Sequence, residues 1–342
     1  MTARDPVADL RRIAFLLERA HESTYRVRAF RGAAAALRGR DTDELTELAL
    51  SGELLRLRGV GEKTARCVVE SLAGNEPAYL RALREADDVP LAEVGAAAAD
   101  VRTALRGDCH SHTDASDGGS PLREMVQTAR ELGHEYLVVT DHSPRLTVAN
   151  GLSADRLRAQ VEQIAELNSD LDPGFTVLTG IEVDILEDGA LDQEAELLDS
   201  LDVVVASVHS KLRMPAAEMT ERMLTAIENP LVDVLGHCTG RMVTGSRKRP
   251  ESQFDAAAVF AACAEHGVAV EINSRPERLD PPKRLLRQAV AAGCEFTVDT
   301  DAHAPGQLDW LDYGCSRAAD CGVPLERIRN TWPVGRLLAA RA

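Results

Sequence analysis

Residues 107–118 have the sequence GDCHSHTDASDG, in which residues 110–117 contain two imidazoles and two carboxylates. His110 and His112 are two positions apart, so on an extended backbone both rings project to the same face. This arrangement suits two ligands of one metal ion at the end of a short strand. Taken alone, the stretch is equally consistent with a polar turn. The rest of the chain decides between the two interpretations.

Downstream of this stretch, short apolar runs alternate with longer helical patterns, which is typical of parallel βα units. With a short strand leading into His110, we predict seven strands. The other six span residues 136–140, 175–181, 203–208, 232–235, 268–272 and 296–300. Helices are predicted between them, including 153–167, with Ser153 as the N-cap, and 250–266. The fold class is therefore α/β.

Histidines and acidic residues follow most of these strands. Functional residues of an α/β barrel lie at the carboxyl ends of its strands, on one face. Six of the nine histidines occupy such positions, namely 110, 112, 142, 209, 237 and 303, and Asp117, Glu182 and Asp301 accompany them. So many imidazoles and carboxylates need cations to offset their desolvation. The remaining histidines, His21, His134 and His266, are predicted to be surface or capping residues.

These motifs resemble the PHP (polymerase and histidinol phosphatase) family, over about residues 106–340. The matching positions are H-x-H at 110–112, T-D-H at 140–142, Glu182, His209, G-H at 236–237 and D-x-H at 301–303. Residues 180–186, 205–209 and 271–273 look most like the PHP domain of bacterial family X DNA polymerases. The resemblance implies a distorted seven-stranded (β/α)7 barrel with nine ligands for three divalent ions.

The resemblance also implies how the ligands divide among the ions. His110, His112, Glu182 and Asp301 would bind one ion, and Glu182 would bridge to a second ion that His209 and His237 also bind. Asp117, His142 and His303 would bind the third. Such donors suit Zn, Mn or Fe, and the sequence does not choose among them.

A site of this kind predicts hydrolysis of a phosphoric ester with a metal-bound hydroxide as the nucleophile. Asp301 and His303 are candidates for relaying a proton. Phosphate oxygens also need positive partners. The candidates for binding the substrate are Lys211, Arg241, Arg275 and Arg278, and Arg241 and Arg278 are additionally predicted to take part in catalysis.

The first 85 residues have a different pattern. Amphipathic helices are predicted at 5–19, 25–37 and 43–49. They precede Gly59-Val60-Gly61, where two glycines permit a tight hairpin between helices. The exposed amides of the helix that follows, together with Lys63, can hold a phosphate. We predict that Gly59, Val60, Gly61 and Lys63 form a DNA-binding hairpin.

With residues 25–34, this region resembles the helix-hairpin-helix N-terminal domain of family X DNA polymerases, over roughly residues 5–85. In some members a lysine four residues after the position of Lys63 forms a Schiff base with an abasic sugar. That position is Cys67 here, so we expect lyase activity to be absent. Residues 86–105 are predicted to be a linker, and residues 106–342 the PHP domain. No polymerase core lies between the two.

Composition sets further bounds. The formal net charge is −16, but residues 1–72 carry 13 Lys and Arg against 11 Asp and Glu, so the acidity belongs to the remainder. This argues against strong sequence-independent nucleic-acid binding by the whole molecule. Seven scattered cysteines without a Cys-x-x-Cys pair predict reduced thiols. The chain lacks a long apolar run, and we expect a soluble cytoplasmic protein without a membrane partner.

Three functions are compatible with these features. The first is a DNA-repair phosphoesterase acting as a 3′-5′ exonuclease, a 3′-phosphatase or an abasic-site endonuclease, with DNA delivered by the N-terminal domain. The second is a small-molecule phosphatase of the histidinol phosphatase type. The third is a non-catalytic DNA-binding module, which the intact ligand set disfavours.

Overall fold

The computed structural model describes residues 4–87, 95–244 and 248–340. The chain forms two compact units, Met1–Pro90 and Leu91–Ala342. The division between Pro90 and Leu91 lies inside the predicted linker 86–105. Its residues 88–94 lie outside the described part, and its later residues form a helix of the second unit.

The first unit is a helical bundle. Its helices are α1 (Pro6–Arg19), α2 (Thr24–Leu37), α3 (Thr42–Leu50), α4 (Glu62–Leu72) and α5 (Ala78–Asp87), with a 3₁₀ turn at Glu53–Arg56. Asp5 caps α1, because its side chain accepts hydrogen bonds from the amides of Val7 and Ala8. The apolar face of α1 packs against α2, α4 and α5. Leu10, Ile13 and Leu17 are fully buried there.

The second unit alternates strands and helices. The strands are β1 (Gly107–Asp108), β2 (Tyr136–Val139), β3 (Thr176–Asp184), β4 (Val203–Ser207), β5 (Val234–Leu235), β6 (Ala269–Asn273) and β7 (Phe296–Asp299). The helices are α6 (Ala96–Ala104), α7 (Leu122–Glu131), α8 (Ala154–Asp170), α9 (Ala195–Asp199), α10 (Ala216–Ile227), α11 (Ala256–His266), α12 (Lys283–Ala292), α13 (Leu311–Asp320) and α14 (Val334–Ala339). Helix α6 packs against α13.

The seven strands form one sheet in sequence order, and each neighbouring pair is parallel. Side chains on both faces of these strands are buried, which explains why they appear as continuous apolar runs in the sequence. Gly236 allows β4 and β5 to approach closely, since a Cβ at this position would lie 2.3 Å from Ser207 Oγ. The predicted seven-stranded α/β barrel is therefore confirmed.

The first and last strands meet at a seam that differs from the other strand pairs. A single parallel bridge joins Ser111 to Ala302. Otherwise side chains connect the two strands: Asp299 Oδ1 accepts a hydrogen bond of 2.8 Å from the Cys109 amide, and Asp108 accepts one of 3.3 Å from the Thr300 amide. The barrel is thus nearly closed but distorted at this seam.

One predicted helix is wrong at its start. The pattern at 250–266 predicts a helix from Pro250, whereas α11 begins at Ala256. Asp255 caps it by accepting from the amides of Ala257 and Ala258. Ser252 instead belongs to the preceding loop, where its amide donates to the Thr239 carbonyl. Among the described helices, none combines the length and apolarity needed to cross a bilayer.

Candidate metal centre

The carboxyl ends of the strands bring the nine predicted ligands together. Strands β1, β2, β4, β5 and β7 are each followed by at least one of them, and Glu182 lies within β3. Six of the nine side chains are buried. The nine residues, hereafter the polar cluster, are His110, His112, Asp117, His142, Glu182, His209, His237, Asp301 and His303.

Glu182 occupies the middle of the polar cluster. Its Oε2 lies 3.3 Å from His110 Nε2, 3.5 Å from His112 Nε2 and 3.0 Å from His142 Nδ1. Its Oε1 lies 3.1 Å from His209 Nε2 and 2.8 Å from His237 Nε2. One carboxylate thus faces five imidazoles, as expected of a group that bridges two cations.

Asp117 lies close to two imidazoles at the edge of the polar cluster. Its Oδ1 lies 3.5 Å from His142 Nε2 and 3.4 Å from His303 Nε2. His142 reaches both Asp117 and Glu182 through its two ring nitrogens, so it connects this group to the centre. Asp301 Oδ1 lies 3.5 Å from both His112 Nε2 and His303 Nδ1.

The hydrogen bonding of these imidazoles fits metal ligation. Both ring nitrogens of His112 and of His209 are buried without a hydrogen-bond partner among the described residues. The same holds for His110 Nε2. Buried polar nitrogens are rarely left unpaired, because each unpaired group carries a desolvation cost. Ligand atoms within 4.8 Å of one another form three groups: 112, 117, 142 and 303; 110, 112 and 182; and 142, 182 and 209.

A second layer of carboxylates orients the histidines. Glu271 on β6 lies 2.6 Å from His110 Nδ1, which turns Nε2 of that ring toward Glu182. The second oxygen of Glu271 accepts a hydrogen bond from the His237 amide. Asp184 accepts from the His209 amide at 3.1 Å. Such partners set the tautomer and direction of a ligating imidazole. The sequence does not predict these roles; its only signal is that Glu271 falls within a predicted strand and Asp184 follows one.

The loop that carries Asp117 is held in place by Asp141. This carboxylate accepts hydrogen bonds from the Thr113 amide, the Thr113 hydroxyl and the Ser116 hydroxyl, at 2.8, 2.6 and 2.5 Å. Gln160 Nε2 of α8 donates to Asp141 Oδ2 at 2.5 Å, the oxygen that also accepts from the Thr113 hydroxyl. The aspartate of the T-D-H motif therefore positions a loop, and the histidine after it joins the polar cluster.

Charges in the polar cluster influence one another strongly. Burial alone would raise the pKa of Asp301, but Arg278 and Arg275 hold it well below its usual range. Burial would likewise raise the pKa of Glu182, and the imidazoles of His209 and His110 lower it. Both carboxylates therefore stay ionised and present negative charge to a cation.

Imidazole pKa values in the polar cluster shift in opposite directions. Burial would lower the pKa of His110, yet the charges of Glu271 and Glu182 raise it well above 6.5. Burial lowers the pKa of His112, with His303 acting in the same direction. The pKa of His209 rises to about 9, against the effect of burial, because of Glu182.

The four predicted substrate-binding residues differ in their surroundings. Arg278 is next to the polar cluster, with Nε 3.0 Å from Asp301 Oδ2, and Arg275 Nη1 donates to the Asp301 carbonyl at 3.1 Å. The guanidinium of Arg241 donates to the carbonyls of Arg278 and Leu279, so it supports the segment carrying Arg278. Lys211 is exposed, and its nearest carboxylate oxygen, on Glu187, is 3.9 Å away.

The predicted DNA-binding hairpin lies in the first unit. Gly59 has φ of 96° and packs directly against Gly32 of α2. The Gly61 amide donates to Thr64 Oγ1 at 2.9 Å, and α4 begins at the next residue. Lys63 Nζ lies 5.0 Å from the centre of the Tyr79 ring. These contacts define the shape of the turn. DNA binding by the hairpin stays a prediction.

Cys67 occupies the position where some family X domains have the Schiff-base lysine. Its side chain is buried, and burial raises the pKa of its thiol to about 11. All seven cysteines are free and buried.

Comparisons with known proteins agree with both predicted resemblances. The PHP domain profile matches residues 108–275, and a helix-hairpin-helix domain profile matches residues 1–77. The DNA polymerase/3′-5′ exonuclease PolX of Bacillus subtilis is 35% identical over 244 residues. That match covers 71% of this chain but only 41% of PolX.

Other relatives are matched over most of their length. A probable phosphatase of Vibrio atlanticus is 30% identical over 239 residues, covering 66% of this chain and 88% of that protein. The solved structure of histidinol phosphate phosphatase from Lactococcus lactis, complexed with Zn, L-histidinol and phosphate, superposes with a TM-score of 0.48 at 20% identity. It covers 64% of this chain and 94% of that one. From the matched profiles and relatives together with the geometry of the polar cluster, we conclude that this chain belongs to the PHP family of metal-dependent phosphoesterases.

Proposed function

We propose that this protein is a DNA-processing phosphoesterase that acts as a 3′-5′ exonuclease, a 3′-phosphatase or an abasic-site endonuclease in DNA repair. The observation that carries the proposal is the polar cluster, in which one buried glutamate faces five imidazoles. The helix-hairpin-helix unit on the same chain supports DNA as the substrate. The name of the Bacillus relative, which includes a 3′-5′ exonuclease, points in the same direction.

The polar cluster would hold three divalent ions, with Zn, Mn or Fe as candidates. His110, His112, Glu182 and Asp301 would bind the first, and Glu182 would join it to a second ion on His209 and His237. Asp117, His142 and His303 would bind the third. Bound ions of this kind activate water and neutralise the charge that develops on a phosphate.

Arg278 and Arg275 would contact the phosphate of the substrate. The Nε and Nη1 atoms of Arg278 are buried without hydrogen-bond partners among the described residues, although Asp301 lies beside them. A planar guanidinium can donate two parallel hydrogen bonds to phosphate oxygens. Arg241 would act through the backbone that it supports, and Lys211 would contact a more distant part of the substrate.

His303 and Asp301 would relay the proton of the attacking water. His303 Nδ1 lies 2.9 Å from the Asp301 carbonyl. Arg275 Nη1 lies 3.0 Å from the same nitrogen and can only donate to it. The tautomer in which Nδ1 instead donates to the Asp301 carbonyl leaves Nε2 with a free lone pair, facing Asp117. In that tautomer Nε2 can bind an ion or accept a proton.

A small-molecule phosphatase remains the second candidate. A cavity of about 420 Å³ lies beside Asp184, which also contacts His209. It is lined by Arg145, Asp184, Leu186, Glu187, Asp188 and Ser210. Its three carboxylates would repel a DNA backbone and favour a substrate with a positive group, such as histidinol phosphate.

A substrate comparison tests the proposal. Metal-loaded protein would be incubated with 3′-labelled DNA, 3′-phosphorylated DNA, abasic DNA and histidinol phosphate, beside Asp301→Ala and His303→Ala variants. We expect metal-dependent turnover of at least one DNA substrate, reduced by roughly 100-fold or more in Asp301→Ala, because a ligand and its charge are lost. Turnover of histidinol phosphate alone would reject the DNA proposal in favour of the second candidate.

A further inference from the structure

The guanidinium of Arg156, on the first turn of α8, connects two loops near the polar cluster. Its Nη1 donates to the carbonyls of Asn150 and Gly151, at 2.9 and 3.0 Å. Its Nη2 donates to the carbonyl of Ala115. The first two acceptors belong to the loop after β2, and the third to the loop after β1. One exposed side chain thus binds three backbone carbonyls of two loops.

Each loop carries a predicted ligand close to the atoms that Arg156 contacts. Ala115 is two residues before Asp117. Gly151 precedes Leu152, whose amide donates to the carbonyl of His142 at 2.7 Å. Because His142 Nε2 and Asp117 Oδ1 are 3.5 Å apart, the two loops must keep a fixed spacing for both side chains to reach one ion.

Asn150 reinforces this connection. It has φ of 55°, a left-handed conformation that Asn tolerates better than most residues. Its Nδ2 donates to the carbonyls of Ala115 and Ser116, at 3.2 and 3.5 Å. One turn further along α8, Gln160 binds Asp141, which holds the same loop. Helix α8 therefore fixes the Asp117 loop from two positions four residues apart.

We propose that Arg156 is a positioning residue for the ion of Asp117, His142 and His303, because it fixes the distance between the loops that carry Asp117 and His142. This inference rests on the proposed assignment of that ion. Arg156 touches neither the ion nor the substrate. It acts through the backbone, so its removal lowers the affinity for one ion and leaves the binding of the ions around Glu182 unchanged.

Arg158 provides a matched control. It lies two residues further along α8 and is also exposed, but it forms ion pairs with Asp155 and Glu194 rather than with the two loops. Arg158→Gln removes the same charge from the same helix. It leaves the spacing between Asp117 and His142 unchanged.

The experiment is a titration of metal-free protein with Co²⁺, in which visible absorption reports the number and affinity of bound ions. We expect Arg156→Gln to bind one ion about 10-fold or more weakly, which is the size of effect that lost outer-layer partners have on metal affinity. The remaining ions should bind as in the wild type. Arg156→Lys should recover only part of the lost affinity, since a lysine cannot reach three carbonyls at once. Arg158→Gln should match the wild type.

Two further variants separate the possible failures. Asn150→Gly keeps the left-handed backbone and removes only the side-chain bridge, so it should lower the affinity for the same ion. It replaces Arg156→Gln as the test if that variant does not fold. Asp117→Asn should lose that ion. Loss of the ion in Asp117→Asn but normal affinity in folded Arg156→Gln would overturn the positioning role alone. Normal Co²⁺ binding by Asp117→Asn would overturn the ion assignment, and the positioning role with it.

Discussion

His134 is a buried imidazole outside the polar cluster. The sequence predicts a surface or capping position for it, but it is only 5% exposed, because the loop between α7 and β2 turns it inward. Neither ring nitrogen has a hydrogen-bond partner within the described ranges. Burial lowers the pKa of His134 to about 3, and Arg102 acts in the same direction. The folded protein therefore keeps this ring neutral.

This neutral ring predicts a loss of stability in acid. The unfolded chain takes up a proton at His134 below about pH 6.5, whereas the folded protein does so only near pH 3. The contribution of the neutral His134 ring to the free energy of unfolding is complete above pH 6.5 and is lost as the pH falls from 6.5 toward 3. Between pH 7.5 and 5.5, the free energy of unfolding should fall about 1.4 kcal/mol less in His134→Phe than in the wild type.

Urea unfolding at the two pH values measures this difference. His266→Phe, at an exposed histidine on α11, is measured in parallel as the control for replacing an imidazole with a phenyl ring. Equal pH dependence in His134→Phe and wild type would show that the ring is protonated in the fold.

The candidate ligands could be selected from the sequence because chemistry restricts which residue types bind metals. Histidines that follow apolar runs are conspicuous, and all six predicted positions lie in the polar cluster. Glu271 and Asp184 were missed as orienting groups, since a carboxylate within a strand looks the same whether it faces solvent or a histidine. Only the register of β3 and β6 with their neighbours reveals which it is.

At the scale of elements, the strands were predicted within a few residues. The pattern at 175–181 predicts a strand that ends before Glu182, whereas β3 continues to Asp184. Glu182 and Asp184 fall outside the predicted strand because they interrupt the apolar run. They remain in the strand since β4 pairs with them and the polar cluster accommodates their charge. A sequence pattern does not contain this tertiary information.

The turn between the 3₁₀ segment Glu53–Arg56 and α4 depends on Gly59. Its φ of 96° is unfavourable for other residues, and an added Cβ would lie 3.0 Å from the Gly32 carbonyl oxygen. Gly39 has φ of 81°, but there no described atom lies within 4 Å of an added Cβ. Both positions carry backbone strain when substituted, and only Gly59 adds a steric conflict.

Gly59→Ala should therefore destabilise the helical unit more than Gly39→Ala. Backbone strain costs on the order of 1–2 kcal/mol at either site, and the conflict with Gly32 should add about 1 kcal/mol at Gly59. Hydrogen exchange of the α4 amides reports the local opening free energy of this unit. Equal protection in the two variants would show that α2 moves away without cost.

At the scale of the whole molecule, the two units carry different charge. The first unit, residues 1–90, has 15 Lys and Arg against 15 Asp and Glu, so the second unit carries the whole net charge of −16. For the proposed DNA substrate we therefore expect affinity to come mainly from the helical unit, because it lacks the net negative charge of the other unit. In the proposed function, hydrolysis depends on the polar cluster of the other unit.

Lys63→Glu should separate these two contributions. We expect DNA affinity to fall roughly 10-fold and its dependence on salt to weaken, because a phosphate contact is lost. Turnover of p-nitrophenyl phosphate, which needs only the polar cluster, should not change. Arg84→Glu, which makes the same change in charge on α5, is the control. Filter binding at several salt concentrations measures the first effect, and unchanged DNA affinity in Lys63→Glu would remove the hairpin from the DNA-binding surface.

The seam between β1 and β7 would give an ion bound beside it a structural role as well as a chemical one. One of its contacts, from the Cys109 amide to Asp299, joins residues 190 positions apart. Ligands from both sides of the seam, His110 and His112 on one and Asp301 on the other, would share an ion. Such an ion would crosslink the two ends of the barrel and close a very long loop of chain. The longer the closed loop, the more conformational entropy a crosslink removes from the unfolded state. A chelator would thus loosen the architecture of the barrel as well as stop its catalysis.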